Sequence, residues 1–202
     1  MATVGILKSA AKVPSIKRVV ITSSMATLLS WDYIISDDRD RAYGPAKALA
    51  LVATEKFIQE EKPHFDVINL LPSMVIGRNE LNTSKEEVAS GTNNGVMGPL
   101  IGAKSEMPTL GASVHLNDVS RAHIDVLNPL IPGNRNFPCS SGGLQGTTWD
   151  DAKDIARRRF GKSVSDGTCT LDGTFPTRPL RLDASEAEDV LGWKFAGFEG
   201  QV

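Results

Sequence analysis

Tyr43 and Lys47 stand four residues apart in the stretch AYGPAKALA, residues 42–50. On a helix that spacing puts both side chains on one face, one turn apart. A phenol ordinarily titrates at about 10, so it serves as a proton donor near neutrality only when a neighbour stabilises its phenolate form. An ammonium group one turn away is such a neighbour. The pair is a candidate acid–base unit acting on a substrate oxygen. Tyr33, in WDYII, is the only other tyrosine and competes for the role, but its surroundings read more simply as an apolar loop or short strand, so Tyr43 is preferred.

A helix must present that pair. Residues 43–61 supply one, with Ala46, Leu49, Ala50, Ala53, Phe57 and Ile58 on a single stripe and Pro45 near the first turn. Before it, TVGILKSAAK reads as a helix that stops ahead of Pro14, and KRVVITSS (17–24) as a short, fully buried strand. After it, FDVINLLPS (65–73) is a second buried strand that breaks at Pro72. Helix, strand, helix, strand is the α/β order with right-handed crossovers and a parallel sheet. Residues 76–113, rich in Gly, Asn, Ser and Thr, read as loops around a short helix near 95–102. Residues 112–128 read as a strand turning into a helix capped by Asp118, and 135–142 as a further short strand. Residues 147–161 form a helix left at Gly161, and a last helical turn lies between Asp183 and Gly192.

Composition narrows the partners. With 202 residues, 41% hydrophobic and 23% charged, the chain suits one principal core. A formal charge of −2 supplies no basic field for nucleic acid, and no apolar run approaches a membrane span. A small molecule is the expected partner. Cys139 and Cys169 lack CxxC spacing or a nearby histidine pattern, which argues against a structural metal or a disulfide framework and for free thiols in a reducing cytoplasm. The opening MATVGILKSAAKVPS has no continuous apolar segment of the kind a cleaved signal carries.

Five stretches, RVVITSS, YGPAK, LLPSMVIG, VHLNDVSRAH and SEAEDVLGW, occur in an order that resembles the extended short-chain dehydrogenase/reductase family. The likeness is to its NAD-dependent epimerase/dehydratase and dihydroflavonol-reductase-like branch, and it runs over nearly the whole chain. It implies a truncated Rossmann-like parallel sheet with helices: residues 1–75 as a residual core carrying the YxxxK helix, and 76–202 as a small C-terminal substrate-binding lobe packed on it in one compact unit. It also implies that Ser24, Tyr43 and Lys47 form the catalytic group, the serine hydroxyl holding the same oxygen as the phenol. Pro72, Ser73, Met74 and Val75 inherit the wall that lines a nicotinamide in such enzymes. With Met25, Met97 and His115 they make up the expected substrate-binding set, around an apolar or aromatic ligand also shaped by Leu28, Leu29 and the loop 77–111. For His115 a packed, hydrogen-bonded role is the alternative.

The family opens with a strand, a GxxGxxG turn and a helix whose N-terminus holds a pyrophosphate. These 202 residues contain no such opening. GVMGPLIG (95–102) follows TNN rather than a strand and contains Pro99, while SGGLQG (141–146) precedes a helix but reads first as a simple turn. The expectation is therefore an enzyme that uses no dinucleotide and performs acid–base chemistry, namely isomerisation, dehydration or cyclisation, on a carbonyl-bearing small molecule of secondary metabolism. Two alternatives stand: an NADP-dependent ketone or aldehyde reductase whose missing half is supplied elsewhere, and a non-catalytic binding remnant. The open flank of KRVVITSS is the expected seam of a homodimer. Of the remaining residues, His64 reads as a turn residue, His123 as helix packing, Asp118 with Arg121 as a cap and local pair, and Trp31, Trp149 and Trp193 as core or pocket walls.

Overall fold

The computed structural model describes residues 2–29, 38–84 and 86–202. Trp31 and Tyr33 lie outside them. The chain opens with α1 (Ala2–Ala10), followed by β1 (Arg18–Thr22), α2 (Asp38–Glu61) and β2 (Asp66–Pro72). The expected helix–strand–helix–strand order is thus observed. α2 begins five residues earlier than its apolar stripe suggests, so Pro45 lies inside the helix rather than in its first turn. There follow β3 (Met74–Ile76), α3 (Asn94–Leu100), β4 (Thr109–Gly111), β5 (Ser113–His115), α4 (Leu116–Asp125) and β6 (Arg135–Cys139). The chain ends with α5 (Asp151–Arg159), α6 (Gly161–Ser165), β7 (Thr177–Pro179), α7 (Ser185–Leu191) and α8 (Phe198–Gln201).

β1, β2 and β6 form a parallel three-stranded sheet in that order, with Thr22 opposite Leu70 and Leu70 opposite Phe137. Alternation along β2 sends successive side chains to opposite layers. Val67 packs with Leu7, Ala10, Phe57 and Phe65 under α1 and α2. Ile68 and Leu70 pack with Val119, Ala122, Val126 and Ala187 under α4 and α7. β2 is buried almost throughout because strands flank it on both sides and helices cover both faces. β1 departs from the fully buried strand expected from its apolar residues: Arg18–Ile21 are only half-buried and Thr22 is exposed, since among the described residues one flank of β1 has no strand beside it.

One polar junction ties the sheet to α4. The Arg18 guanidinium makes a paired contact with Asp66, at 2.6 and 2.8 Å, and donates to the carbonyls of Val126, Asn128 and Ile131. All five of its N–H donors are engaged. Asp66 holds the Arg18 pKa above its ordinary value, by hydrogen bonding first and charge second, against the opposing effect of burial.

β3–β5 and β4–β7 form two further parallel pairs of strands. α3 packs against Trp149 and Phe175. Gly95 and Gly98 of GVMGPLIG answer to that packing: a Cβ on Gly95 would stand 2.7 Å from the Trp149 ring, and one on Gly98 would stand 2.5 Å from that of Phe175. Two helix boundaries differ from expectation. α4 is capped by His115, whose side chain accepts from Asn117 N, while Asp118 instead accepts from Ala196 N at 2.7 Å and docks the C-terminal segment. α5 ends at Arg159 rather than at Gly161, because Phe160 leaves helical geometry and Gly161 begins α6. No described helix is long and apolar enough to cross a membrane.

Candidate active site

The carboxyl ends of parallel strands are where open α/β sheets receive ligands, and β1 ends there in Thr22, followed by Ser23 and Ser24. Ser23 N is fastened to Leu70 O at 2.7 Å. The chain then turns into a short 3-10 helix, Met25–Leu28, capped by Ser24, whose Oγ accepts from Ala26 N at 3.2 Å. Ser24 is 8% exposed and so is held by a structural task at the position expected of a catalytic serine.

α2 runs past this strand end and presents Tyr43 and Lys47 one turn apart, the ammonium 5.8 Å from the centre of the phenol ring. Tyr43 is 51% exposed, so its hydroxyl is open to an incoming molecule. Lys47 Nζ donates to the carbonyl of Thr22 at 3.1 Å, which pins the ammonium over the end of β1. A cavity of about 220 Å³ lies at this junction, lined by Tyr43, Lys47, Thr22, Ser23, Thr54 and Asn69 among others. Tyr43 and Lys47 are thus brought together as the spacing predicts, with Ser24 one residue beyond the wall.

The expected substrate-binding residues separate into groups. Met25 is buried against Ala112, Leu180 and Leu182, with Met74 and Leu29 beside it. Val75 packs on the α4 side of the core. Pro72 and Ser73 are buried where β2 passes into β3, and Ser73 Oγ has no hydrogen-bond partner. Met97 and His115 line a second cavity of about 600 Å³, bounded also by Ile76, Gly77, Val96 and Gln201. Gln201 and His123 are the residues sequence reasoning missed. Gln201 lies at the end of the chain in a helix of only four residues, too short for a periodic signal. His123, expected to serve helix packing, places its Nε2 2.8 Å from Thr22 Oγ1.

The remaining candidates are structural. His64 meets Val13 O at 3.1 Å. Arg121 pairs with Asp125 rather than Asp118 and stacks over Trp193, 4.5 Å from its ring centre. On α5, Arg157 pairs with Asp154 and Arg158 with Glu199. Both cysteines are free, and burial pushes the Cys139 thiol up to about 12, which makes it a poor nucleophile. Among the described residues no cluster of His, Cys, Asp or Glu could hold a metal ion.

No family model matches the chain. It is 30% identical over 223 residues to a ketoreductase of Cercospora nicotianae, covering 99% of this chain and 62% of the relative. It is also 30% identical over 233 residues to an NAD-dependent epimerase/dehydratase of Alternaria alternata, covering 99% and 65%. Among solved structures, yeast methylglyoxal/isovaleraldehyde reductase complexed with NADPH has a TM-score of 0.69 at 22% identity, over 98% of this chain and 66% of that one. Over nearly its whole length the chain is thus similar to ketoreductases and an NAD-dependent epimerase/dehydratase, in keeping with the resemblance its five stretches carry, and it shares the fold of a solved reductase. It spans less than two thirds of the length of these curated relatives.

That finding overturns the expectation of no cofactor. Almost the whole of this chain corresponds to part of a reductase solved with NADPH, so a glycine-rich turn missing from these residues is no sign of cofactor-free chemistry. The inference from absence failed because a dinucleotide cradle lying outside the matched span leaves no mark inside it. The residues present suit the nicotinamide-ribose end of such a cofactor: Lys47 offers N–H donors beside the Tyr43 phenol, and the buried Ser73 Oγ beyond β2 lacks a partner. Among the described residues, β6, SGGLQG and α5 follow one another as strand, glycine turn and helix, but Gly142 and Gly146 lie against backbone carbonyls, so that turn is packed rather than an open cradle for a pyrophosphate.

Proposed function

We propose that this chain carries the proton-donating and substrate-binding part of an NADPH-dependent ketoreductase. The observation that carries the reading is the triangle of Tyr43, Lys47 and the Thr22 carbonyl at the mouth of a cavity. Tyr43 is open enough to hand its proton to a ketone oxygen, and Lys47, held by Thr22, favours the phenolate left behind. Ser24, once its hydroxyl turns from Ala26 N, is the second donor toward that oxygen. When bound, the nicotinamide supplies the hydride to the carbonyl carbon. The names of the ketoreductase relative and of the NADPH-bound yeast reductase support the same chemistry.

The open flank of β1 suits a further parallel strand, and we assign it to the dinucleotide-binding segment that completes the sheet. A second copy of the chain, the homodimer expected from the sequence, is the competing occupant; light scattering at micromolar concentration separates the two. The activity test follows NADPH oxidation with aryl ketones, using the purified chain alone and with the unmatched remainder of the Cercospora relative added in trans. Turnover in either preparation that vanishes in Tyr43→Phe supports the proposal. NADPH-dependent turnover in neither, with the added segment folded, overturns it.

A further inference from the structure

The larger cavity shares no lining residue with the one at Tyr43. At about 600 Å³ it lies in the size range of small-molecule sites. Much of its polar lining is already committed. Asn93 brackets Gly77, accepting from its N–H at 3.1 Å and donating to its carbonyl at 2.8 Å. Asn82 donates to Glu87 O, and Arg78 pairs with Glu80. Two side chains keep a defined, unspent capacity. His115 Nδ1 accepts from Asn117 N at 3.3 Å, so in the neutral ring the proton sits on Nε2, which is left as a donor. Gln201, 7% exposed, donates from Nε2 to Ser141 Oγ at 2.6 Å and to Ala196 O at 2.8 Å, while its Oε1 is buried without a partner. The amide cannot be flipped to relieve this, because the oxygen would then face the Ala196 carbonyl. A buried acceptor left unmet is costly, and a ligand hydroxyl satisfies it.

We infer that this cavity seats a hydroxyl group of the substrate, which accepts from His115 Nε2 and donates to Gln201 Oε1, with the ligand's apolar body against Ile76, Val96 and Met97. The inference rests on the ketoreductase reading and refines it. The substrate is a hydroxylated ketone, mainly apolar, whose hydroxyl stands several bonds from the carbonyl, because the two cavities are lined by different residues.

Direct binding tests this without turnover. Three probes are titrated calorimetrically into the chain: a hydroxynaphthyl methyl ketone, its methyl ether, and the unsubstituted naphthyl methyl ketone. The ether keeps the acceptor for His115 and loses the donor for Gln201. The hydroxy ketone is expected to bind about tenfold more tightly than the ether. Gln201→Met should bring that ratio to about one with the unsubstituted ketone unaffected, whereas general damage would weaken all three probes. If Gln201→Met does damage the fold, His115→Asn supplies the independent test. His115→Asn retains a capping side chain and should reduce the ether to the affinity of the unsubstituted ketone, while the hydroxy ketone keeps its advantage through Gln201. Equal affinities in the wild type, or a preference that survives Gln201→Met, overturn the inference. Preference lost while NADPH-dependent turnover is intact sinks this inference alone; preference intact without turnover sinks the ketoreductase reading instead.

Discussion

The carbonyl of Thr22 holds the Lys47 ammonium at 3.1 Å, and the hydroxyl of the same residue lies 2.8 Å from Nε2 of His123. Lys47 comes from α2 on one face of the sheet and His123 from α4 on the other. His123 Nδ1 is 2.8 Å from the Val119 carbonyl, which can only accept, so Nδ1 carries the proton and the neutral ring takes the Thr22 hydroxyl at Nε2. On the proposed ketoreductase reading, His123 serves as a positioning residue for Lys47, acting through Thr22.

His123→Leu should lower kcat for ketone reduction about tenfold with KM little changed, since the ammonium loses its fixed station while the substrate walls stay in place. His123→Gln, which can still accept from the threonine, should recover most of the loss. Steady-state kinetics of the reconstituted activity read both numbers.

Ser24 has two tasks that substitution can separate. Ser24→Ala removes the cap on Ala26 N and should cost about 1 kcal/mol of stability together with activity. Ser24→Asp keeps a capping oxygen, so thermal denaturation should return toward wild type while reduction stays impaired. Tyr43→Phe gives the complementary result: a loss of about 10²–10⁴-fold in kcat/KM. Its melting temperature should be unchanged, because the side chain is half exposed.

Arg18→Met should be the most damaging substitution in the sheet. It leaves the Asp66 carboxylate and three carbonyls without their shared donor, at a cost of about 3 kcal/mol, visible as a lower urea midpoint. Arg18→Lys should recover little, because three ammonium donors on a single atom cannot meet five directed contacts.

Acid should loosen the wall of the larger cavity. The backbone N–H of Thr83, with help from that of Ser84 and the Thr83 hydroxyl, holds the Glu87 carboxyl below its usual value. Thr83 and Ser84 both line the cavity. A carboxylate whose folded pKa is depressed stabilises the fold above the unfolded value, here 4.5, and that contribution is lost as pH falls through the lower folded pKa. Hydrogen exchange of the Thr83 and Ser84 amides, corrected for intrinsic rates, should lose protection as pH falls through the lowered value of the Glu87 carboxyl, and Glu87→Gln should show the loss already at neutral pH.

Local periodicity and spacing were enough to order the first four elements, to make the sheet parallel and to set Tyr43 beside Lys47, because each of these depends on residues within one or two turns of one another. The five stretches carried the resemblance to ketoreductases and epimerase/dehydratases. What lay further apart in the chain was decided by packing. The sequence could not say which carbonyl anchors Lys47, since Thr22 lies 25 residues away, nor that His123 reaches the same residue across 101. It named Asp118 as the cap of α4, but in the fold that carboxylate is drawn off by the amide of Ala196, and His115 caps instead. It offered the glycines of α3 as a poor phosphate turn, when the rings of Trp149 and Phe175, more than fifty residues on, require their bareness. A buried oxygen without a partner, such as Gln201 Oε1, exists only once the surrounding chain has excluded water and spent the neighbouring donors.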